Sequence, residues 1–211
     1  MNHISGLADV PKNISIWRKQ TRKDLIDLRL QASARDRRIW SRQIGQFLNR
    51  LLPNPEGQVL GFCWPYQGEP NVISVVHRWI ERGGAAALPV VVQHQAPMAF
   101  RPWHPASPMT SGGYGIPIPI DETQLHPDVL LIPLTGFDKF GFRLGYGGGF
   151  FDRTVVSLDP RPRMIGVGFE LSRLASINPQ PHDQPMELIV TESGIFNPCN
   201  AQVITPLSGN V

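Results

Sequence analysis

The densest chemistry in the chain lies in Gly141–Asp152, which reads GFRLGYGGGFFD. Four glycines (Gly145, Gly147, Gly148, Gly149) stand between one guanidinium, Arg143, and one carboxylate, Asp152. Glycines let backbone N–H groups approach an anion without an intervening Cβ. An arginine holds phosphate oxygens bidentately. A carboxylate beside them suits magnesium, a hard cation that takes carboxylate and phosphate oxygens. The expected chemistry is a phosphate held by amides and an arginine, with a divalent cation at its side.

Such a loop has to be presented by regular elements. DVLLIPL (Asp128–Leu134) precedes it and is an apolar run of strand length; FDRTVVSL (Phe151–Leu158) follows it and reads as a short helix. A helix starting just after the glycines adds partial positive charge and free donors at its N-terminus. The spacing excludes two common phosphate loops. The dinucleotide fingerprint fails because position 150 is Phe, and no Gly-Lys-Ser/Thr tripeptide is present for a P-loop. On spacing alone, a glycine turn that merely joins a strand to a helix stays open.

Elsewhere the pattern is of alternating helices and buried strands. Residues 14–31 are expected to be helical, with Trp17, Thr21, Leu25 and Leu28 on one face and the basic residues largely off it. Ser33, with Asp36 three residues on, caps a second helix over about 34–51, whose stripe is Trp40, Ile44, Phe47, Leu48 and Leu51. Val59–Trp64 is a short buried strand, followed by the loop PYQGEP with Glu69 as its one carboxylate. Val72, Val75, Val76 and Trp79 define a third helix, stopped by Gly83 and Gly84. Strands follow at Ala85–Val92, Met98–Trp103, Met164–Phe169 and Leu188–Thr191. The stretch from Pro105 to Pro119 reads as a long loop, of a length often functional in compact domains. Hairpin signals are scarce. The expected fold is α/β: a single domain over 1–211 with a mostly parallel sheet and helices on both faces, Rossmann-like and three-layered. Residues 1–12 and 200–211 are expected to be flexible. The site should lie at the carboxyl ends of the strands.

FDKFGFRLGYGGGFFDR (Phe137–Arg153) resembles the signature of the 5-formyltetrahydrofolate cyclo-ligase family, also called methenyltetrahydrofolate synthetases, approximately F-D-x-x-G-x-R-L-G-x-G-x-G-[YF]-[YF]-D. The likeness runs from about residue 18 to residue 196. It implies an ATP-dependent ligase that closes 5-formyltetrahydrofolate to 5,10-methenyltetrahydrofolate, releasing ADP and phosphate. The family's route passes the γ-phosphoryl group to the formyl oxygen before N10 attacks. By resemblance, Arg143 is catalytic, and Leu144, Gly145, Tyr146, Gly147, Gly148, Gly149, Phe150 and Phe151 join it around ATP. The family also has an N-terminal Lys followed within a turn by Arg; Lys19 and Arg22 match best, with Arg18 competing for the first place. Trp64 and Glu69 have the spacing of its folate contacts, and Tyr114, Tyr146 and Phe150 are further substrate candidates. A pterin offers adjacent N–H donors to a carboxylate and an apolar face for stacking. His182-Asp183 matches the segment that supplies the second magnesium carboxylate beside Asp152. Two departures stand out: Ile118 where many relatives have Glu, and Phe151 where many have Tyr. A folate- or nucleotide-binding paralogue without turnover is the alternative.

The net charge is +3, yet residues 12–42 hold ten Lys/Arg against three Asp, which makes that segment +7 and the rest −4. A basic segment attracts polyanions, and ATP or a folate polyglutamate tail fits as well as nucleic acid. No nucleic-acid module is recognisable, so nucleic acid is not expected as a partner. No apolar run reaches membrane-spanning length, so no membrane partner is expected. MNHISGLADVPKN lacks the apolar core of a secretory signal, and Cys63 and Cys199 match no metal or redox spacing. A cytoplasmic setting is expected.

Overall fold

Along Val129–Pro133 the side chains alternate between two apolar clusters: Val129 and Leu131 join one, Leu130 and Ile132 the other. Leu188 and Val190 against Ile189 repeat the pattern in Leu188–Thr191. A strand's two-residue period sends successive side chains to opposite faces, so both faces of this sheet are covered.

The computed structural model describes residues 11, 13–200 and 202–204, without the side chains of residues 114 and 202–204. The first two helices are α1 (Ile14–Gln31) and α2 (Ala34–Leu51). After β1 (Val59–Gly61) come α3 (Ile73–Glu81), β2 (Ala85–Val90) and β3 (Ala99–Pro102). A short hairpin, β4 (Met109–Ser111) and β5 (Pro117–Pro119), precedes β6 (Val129–Pro133). Then come β7 (Gly136–Asp138), β8 (Arg143–Leu144), α4 (Phe150–Ser157), β9 (Arg163–Val167) and β10 (Arg173–Leu174). The chain closes with β11 (Leu188–Thr191), β12 (Gly194–Asn197) and β13 (Gln202–Ile204).

The main sheet has eight strands in the order β13-β12-β11-β9-β6-β1-β2-β3. Its centre, β11-β9-β6-β1-β2, is parallel, and the added edges β3, β12 and β13 are antiparallel. Helices α2 and α3 cover one face through Ile44, Leu48, Val75, Val76 and Trp79; α4 covers the other through Val155. This is the expected α/β architecture with helices on both faces. Ser33 caps α2 by accepting from the Asp36 amide at 3.0 Å, as expected.

Four expectations need correction. The glycine loop does not follow β6 directly: β7 and β8 intervene, and with β10 they form a second, three-stranded sheet. Residues 105–119 are not one open loop, because β4 pairs with β5; Arg101 anchors this hairpin by donating to the Pro119 carbonyl at 3.1 Å. The segment 200–211 contains β13, which pairs with β12; the rest of that expectation, like that for 1–12 apart from residue 11, falls outside the described residues.

Helix α1 also departs from expectation. Its buried residues are Arg18, Leu25 and Arg29, while Leu28 is 44% exposed. The helix is rotated away from its apolar stripe. Leu25 packs with Leu144 of β8 and with Ile177, and the guanidinium groups find carbonyl and carboxylate partners at Ile177, Asp183 and Gln67. Those partners make burying the cations tolerable.

Candidate active site

The parallel centre of the sheet reverses its winding between β1 and β6: β2 lies on one side of β1, and β6 and β9 lie on the other. Such switch points leave a crevice at the carboxyl ends of the strands. The segment after β1, Tyr66–Glu69, and the small sheet that follows β6 both belong to that end.

The glycine loop leaves β8 and enters α4 through Gly149, whose φ of 64° is left-handed. Gly147 also has positive φ, 94°, and a Cβ there would lie 3.4 Å from the Arg22 guanidinium. Arg22 reaches the loop from α1 and donates to the Gly145 carbonyl at 2.7 Å. At its far end, Arg153 donates to the Gly148 carbonyl at 2.7 Å and lies over the Phe150 ring. Gly147 and Gly148 are exposed. The loop is therefore held at both ends by arginines and open at its crest.

Below the loop, Arg143 is buried and bridges two segments. It contacts Asp152 at 3.1 Å and donates to the Gln184 carbonyl at 3.0 Å. The Gln184 amide donates in turn to Asp152 Oδ1 at 3.1 Å. Burial pulls the Arg143 pKa down, opposed by the charge of Asp152. Next to Gln184, Asp183 pairs with Arg18 at 2.5 Å. Arg18 further donates to the carbonyls of Ile177 and Asn178, at 3.3 and 2.9 Å. Burial pushes the Asp183 carboxyl up, but the Arg18 hydrogen bond, the Gln180 amide and the nearby cations outweigh it and hold it below the usual carboxylate range. Arg22 is lowered by burial and by its neighbour Arg18.

Asp138 organises the turn from behind. It is fully buried and accepts from the amides of Phe140, Phe142 and Ile177 at 2.9, 3.2 and 3.0 Å. One carboxylate thus ties the β7–β8 turn to the segment that leads to Asp183.

On the other side of the loop, Tyr146 donates to Glu69 Oε1 at 2.7 Å. The Tyr66 amide donates to Glu69 Oε2 at 3.0 Å, and the rings of Tyr66 and Tyr146 meet edge-to-face at 5.7 Å. Burial raises the Glu69 carboxyl above its ordinary value, partly opposed by these two donors and by Arg29.

The structure therefore brings together Arg22, Arg143, the glycines, Tyr146, Glu69, Asp152 and Asp183. Others stand apart. Lys19 is exposed, whereas Arg18, one position away on α1, is buried against Asp183; of the two competitors for that position, Arg18 faces the site. Trp64 packs edge-on against Phe62 and Trp103, and its indole N–H has no hydrogen-bond partner among the described residues. Phe151 packs toward the core cluster on the α4 face and lies 5.9 Å from the Arg143 guanidinium. The side chain of Tyr114 lies outside the described residues. Arg29 and Asp138 are the additions that motif reading passes over as site residues. The spacing 18, 22, 25, 29 on one helix face is the signal that could have found Arg29.

Among the described residues no three His, Cys, Asp or Glu side chains cluster for a metal. Asp152 meets the 183–184 segment through the Gln184 amide, and Asp152 and Asp183 both act on the Arg143 charge, each paired with an arginine of its own, Arg143 and Arg18. Carboxylate is the donor type that suits magnesium, which binds through one or two such groups and takes its other oxygens from water and phosphate.

The fold and this site define a class: an α/β protein with a glycine loop, suited to a phosphate-bearing ligand, at the carboxyl ends of its parallel strands. Sequence and structural comparisons narrow it. The model of the 5-formyltetrahydrofolate cyclo-ligase family matches residues 14–192. The chain is 28% identical over 138 residues to the 5-formyltetrahydrofolate cyclo-ligase of Escherichia coli strain K12, covering 62% of this chain and 76% of that one. To the enzyme of the same name from Haemophilus influenzae it is 23% identical over 182 residues, 80% of this chain and 94% of that one. The Aquifex aeolicus 5,10-methenyltetrahydrofolate synthetase superposes with a TM-score of 0.75 at 22% identity, over 92% of this chain and 99% of that one. The chain belongs to the 5-formyltetrahydrofolate cyclo-ligase family and is an ATP-dependent cyclo-ligase by that membership. No described helix is long and apolar enough to cross a membrane.

Proposed function

We propose that this chain closes 5-formyltetrahydrofolate to 5,10-methenyltetrahydrofolate at the crevice between the glycine loop and Tyr66–Glu69, with ATP as co-substrate. The observation that carries the assignment of residues is the meeting of Asp152 with the 183–184 segment beneath the glycines, through Arg143 and the Gln184 amide.

The formyl group on N5 is an amide and a poor electrophile. Transfer of the γ-phosphoryl group to its oxygen turns that oxygen into a leaving group. N10 then attacks the formyl carbon and loses its proton, and phosphate departs with the former formyl oxygen. Positioning and charge neutralisation are what a protein supplies to phosphoryl transfer. Arg143 and the loop amides stabilise charge on the transferring group, and Arg22 and Arg18 approach from α1. Asp152 and Asp183 would hold magnesium, which neutralises phosphate charge when bound. Glu69 accepts the paired N–H donors of the pterin, beside Tyr146. A folate polyglutamate tail would suit the basic face of α1, and a cytoplasmic setting fits a chain acting on ATP and folate.

The test combines purified protein, MgATP and 5-formyltetrahydrofolate, and follows methenyl absorbance together with ADP. Both products appearing in equal amounts is the expected result. Binding of both ligands without product would replace the ligase reading with that of a non-catalytic paralogue.

A further inference from the structure

Arg29 is the largest fully buried side chain of the described residues, 1% exposed at the last turn of α1. A guanidinium carries five N–H donors, remains charged and accepts nothing. Burying one without partners is costly. Its partners come from two separate segments. Nε donates to the Gln67 carbonyl at 3.0 Å, in the turn after β1 where Gln67 has a φ of 45°. Nη2 donates to the Tyr146 hydroxyl at 3.0 Å, in the glycine loop.

The donor inventory fixes the direction of the chain of bonds. The Tyr146 hydroxyl has one proton. Arg29 can only donate to it, so that proton goes to Glu69 Oε1, 2.7 Å away. Glu69 Oε2 already accepts the Tyr66 amide. Both carboxylate oxygens therefore act as acceptors, as the ionised form requires. Among the described residues, Tyr146–Glu69 and Arg29 are the hydrogen-bonded ties between the glycine loop and the segment after β1.

We propose that Arg29 is a positioning residue: through Gln67 and Tyr146 it locks the segment after β1 onto the glycine loop and sets the Glu69 carboxylate to receive the N–H donors of a pterin. This rests on the pterin role given to Glu69 above. Arg29 itself touches no substrate. The groups facing Glu69 are Arg29 from α1, Tyr146 from the glycine loop and the Cys63 thiol near the end of β1, which burial keeps protonated. Arg29 is the one cation in that set. Without it, burial acts on Glu69 with less opposition and the carboxyl protonates at higher pH.

Direct binding of 5-formyltetrahydrofolate without nucleotide, measured across pH by calorimetry, tests this with Arg29→Met, Arg29→Lys, Tyr146→Phe and Glu69→Gln proteins. The expected result for Arg29→Met is a binding profile moved to higher pH, read as weaker binding at the acid end and recovery at the alkaline end. Arg29→Lys keeps the charge but not the two-pronged geometry, so its profile stays near the parent's while affinity falls at every pH. A simple packing defect would weaken binding without moving the profile, and that outcome overturns the proposal. If Arg29→Met does not fold, Tyr146→Phe decides, because it removes the hydroxyl between cation and carboxylate. It should move the profile in the same direction, and an unmoved one overturns the proposal. Glu69→Gln separates the two levels. Undiminished binding in that protein removes Glu69 from the pterin site, whereas weakened binding there with unmoved Arg29 and Tyr146 profiles leaves Glu69 in place and overturns Arg29 alone.

Discussion

Arg18 and Asp183, 165 positions apart in sequence, form a buried ion pair with Nη2 2.5 Å from Oδ2 and both side chains 9% exposed. The pair closes the segment from Ile177 to Asp183 onto α1. Removing one partner of such a pair strands the other charge and costs about 3–5 kcal/mol. Arg18→Met should therefore lower the denaturation midpoint sharply. Asp183 has its folded pKa depressed, so its contribution is present above the unfolded value and is lost as pH falls through the folded one. Acid unfolding curves check this. The parent should lose stability below about pH 4 more steeply than Asp183→Asn does.

Glu69 carries the opposite sign. Its folded pKa is raised by burial, so between the unfolded and folded values the native state binds more protons. The stability owed to this group falls as pH rises through that window. Glu69→Gln, which cannot ionise, should flatten this part of the dependence. Urea midpoints at several pH values, compared between parent and Glu69→Gln, give the difference; identical slopes would count against the raised carboxyl.

Arg143 lies beneath the glycine loop in contact with Asp152 and Gln184. Arg143→Ala should lower kcat by about 10²–10³-fold, the scale of losing a donor aimed at developing charge. Because the guanidinium is buried and paired, a lowered melting temperature should accompany the loss. Steady-state kinetics beside a thermal melt separates the two, and near-parent turnover would remove Arg143 from the chemistry.

Lys19 and Arg22 sit on the same helix with different surroundings. Lys19 is exposed, whereas Arg22 donates to the Gly145 carbonyl at 2.7 Å. The KM for ATP should rise about tenfold or more in Arg22→Ala and change by less than about twofold in Lys19→Ala, since a solvated cation contributes little. Equal effects of the two substitutions would reassign the α1 contact.

Asp152 contacts both Arg143 and the Gln184 amide through Oδ1. Asp152→Asn should shift the magnesium dependence of turnover to higher concentration, because the amide keeps the shape and loses the charge. A magnesium titration that superposes on the parent's would exclude Asp152 from holding the cation.

By itself the sequence determined the central strands of the main sheet, the helices and the loop chemistry. Apolar runs such as VLLIP and LIVT are long enough and pure enough to be buried on both faces, and Ser33 with Asp36 announces where α2 begins. The glycines with Arg143 and Asp152 are contiguous, so their chemistry is legible without a fold. What only the tertiary structure decided was which way α1 faces and what the loop rests on. Hydrophobic periodicity finds faces buried against carbon; it is blind to a face buried because carbonyls and carboxylates from distant segments satisfy its arginines. Arg18 and Arg29 are buried for that second reason, by Asp183, Asn178, Gln67 and Tyr146. The small sheet of β7, β8 and β10 was equally hidden, since strands of two or three residues have no period to read and exist through pairing across the chain.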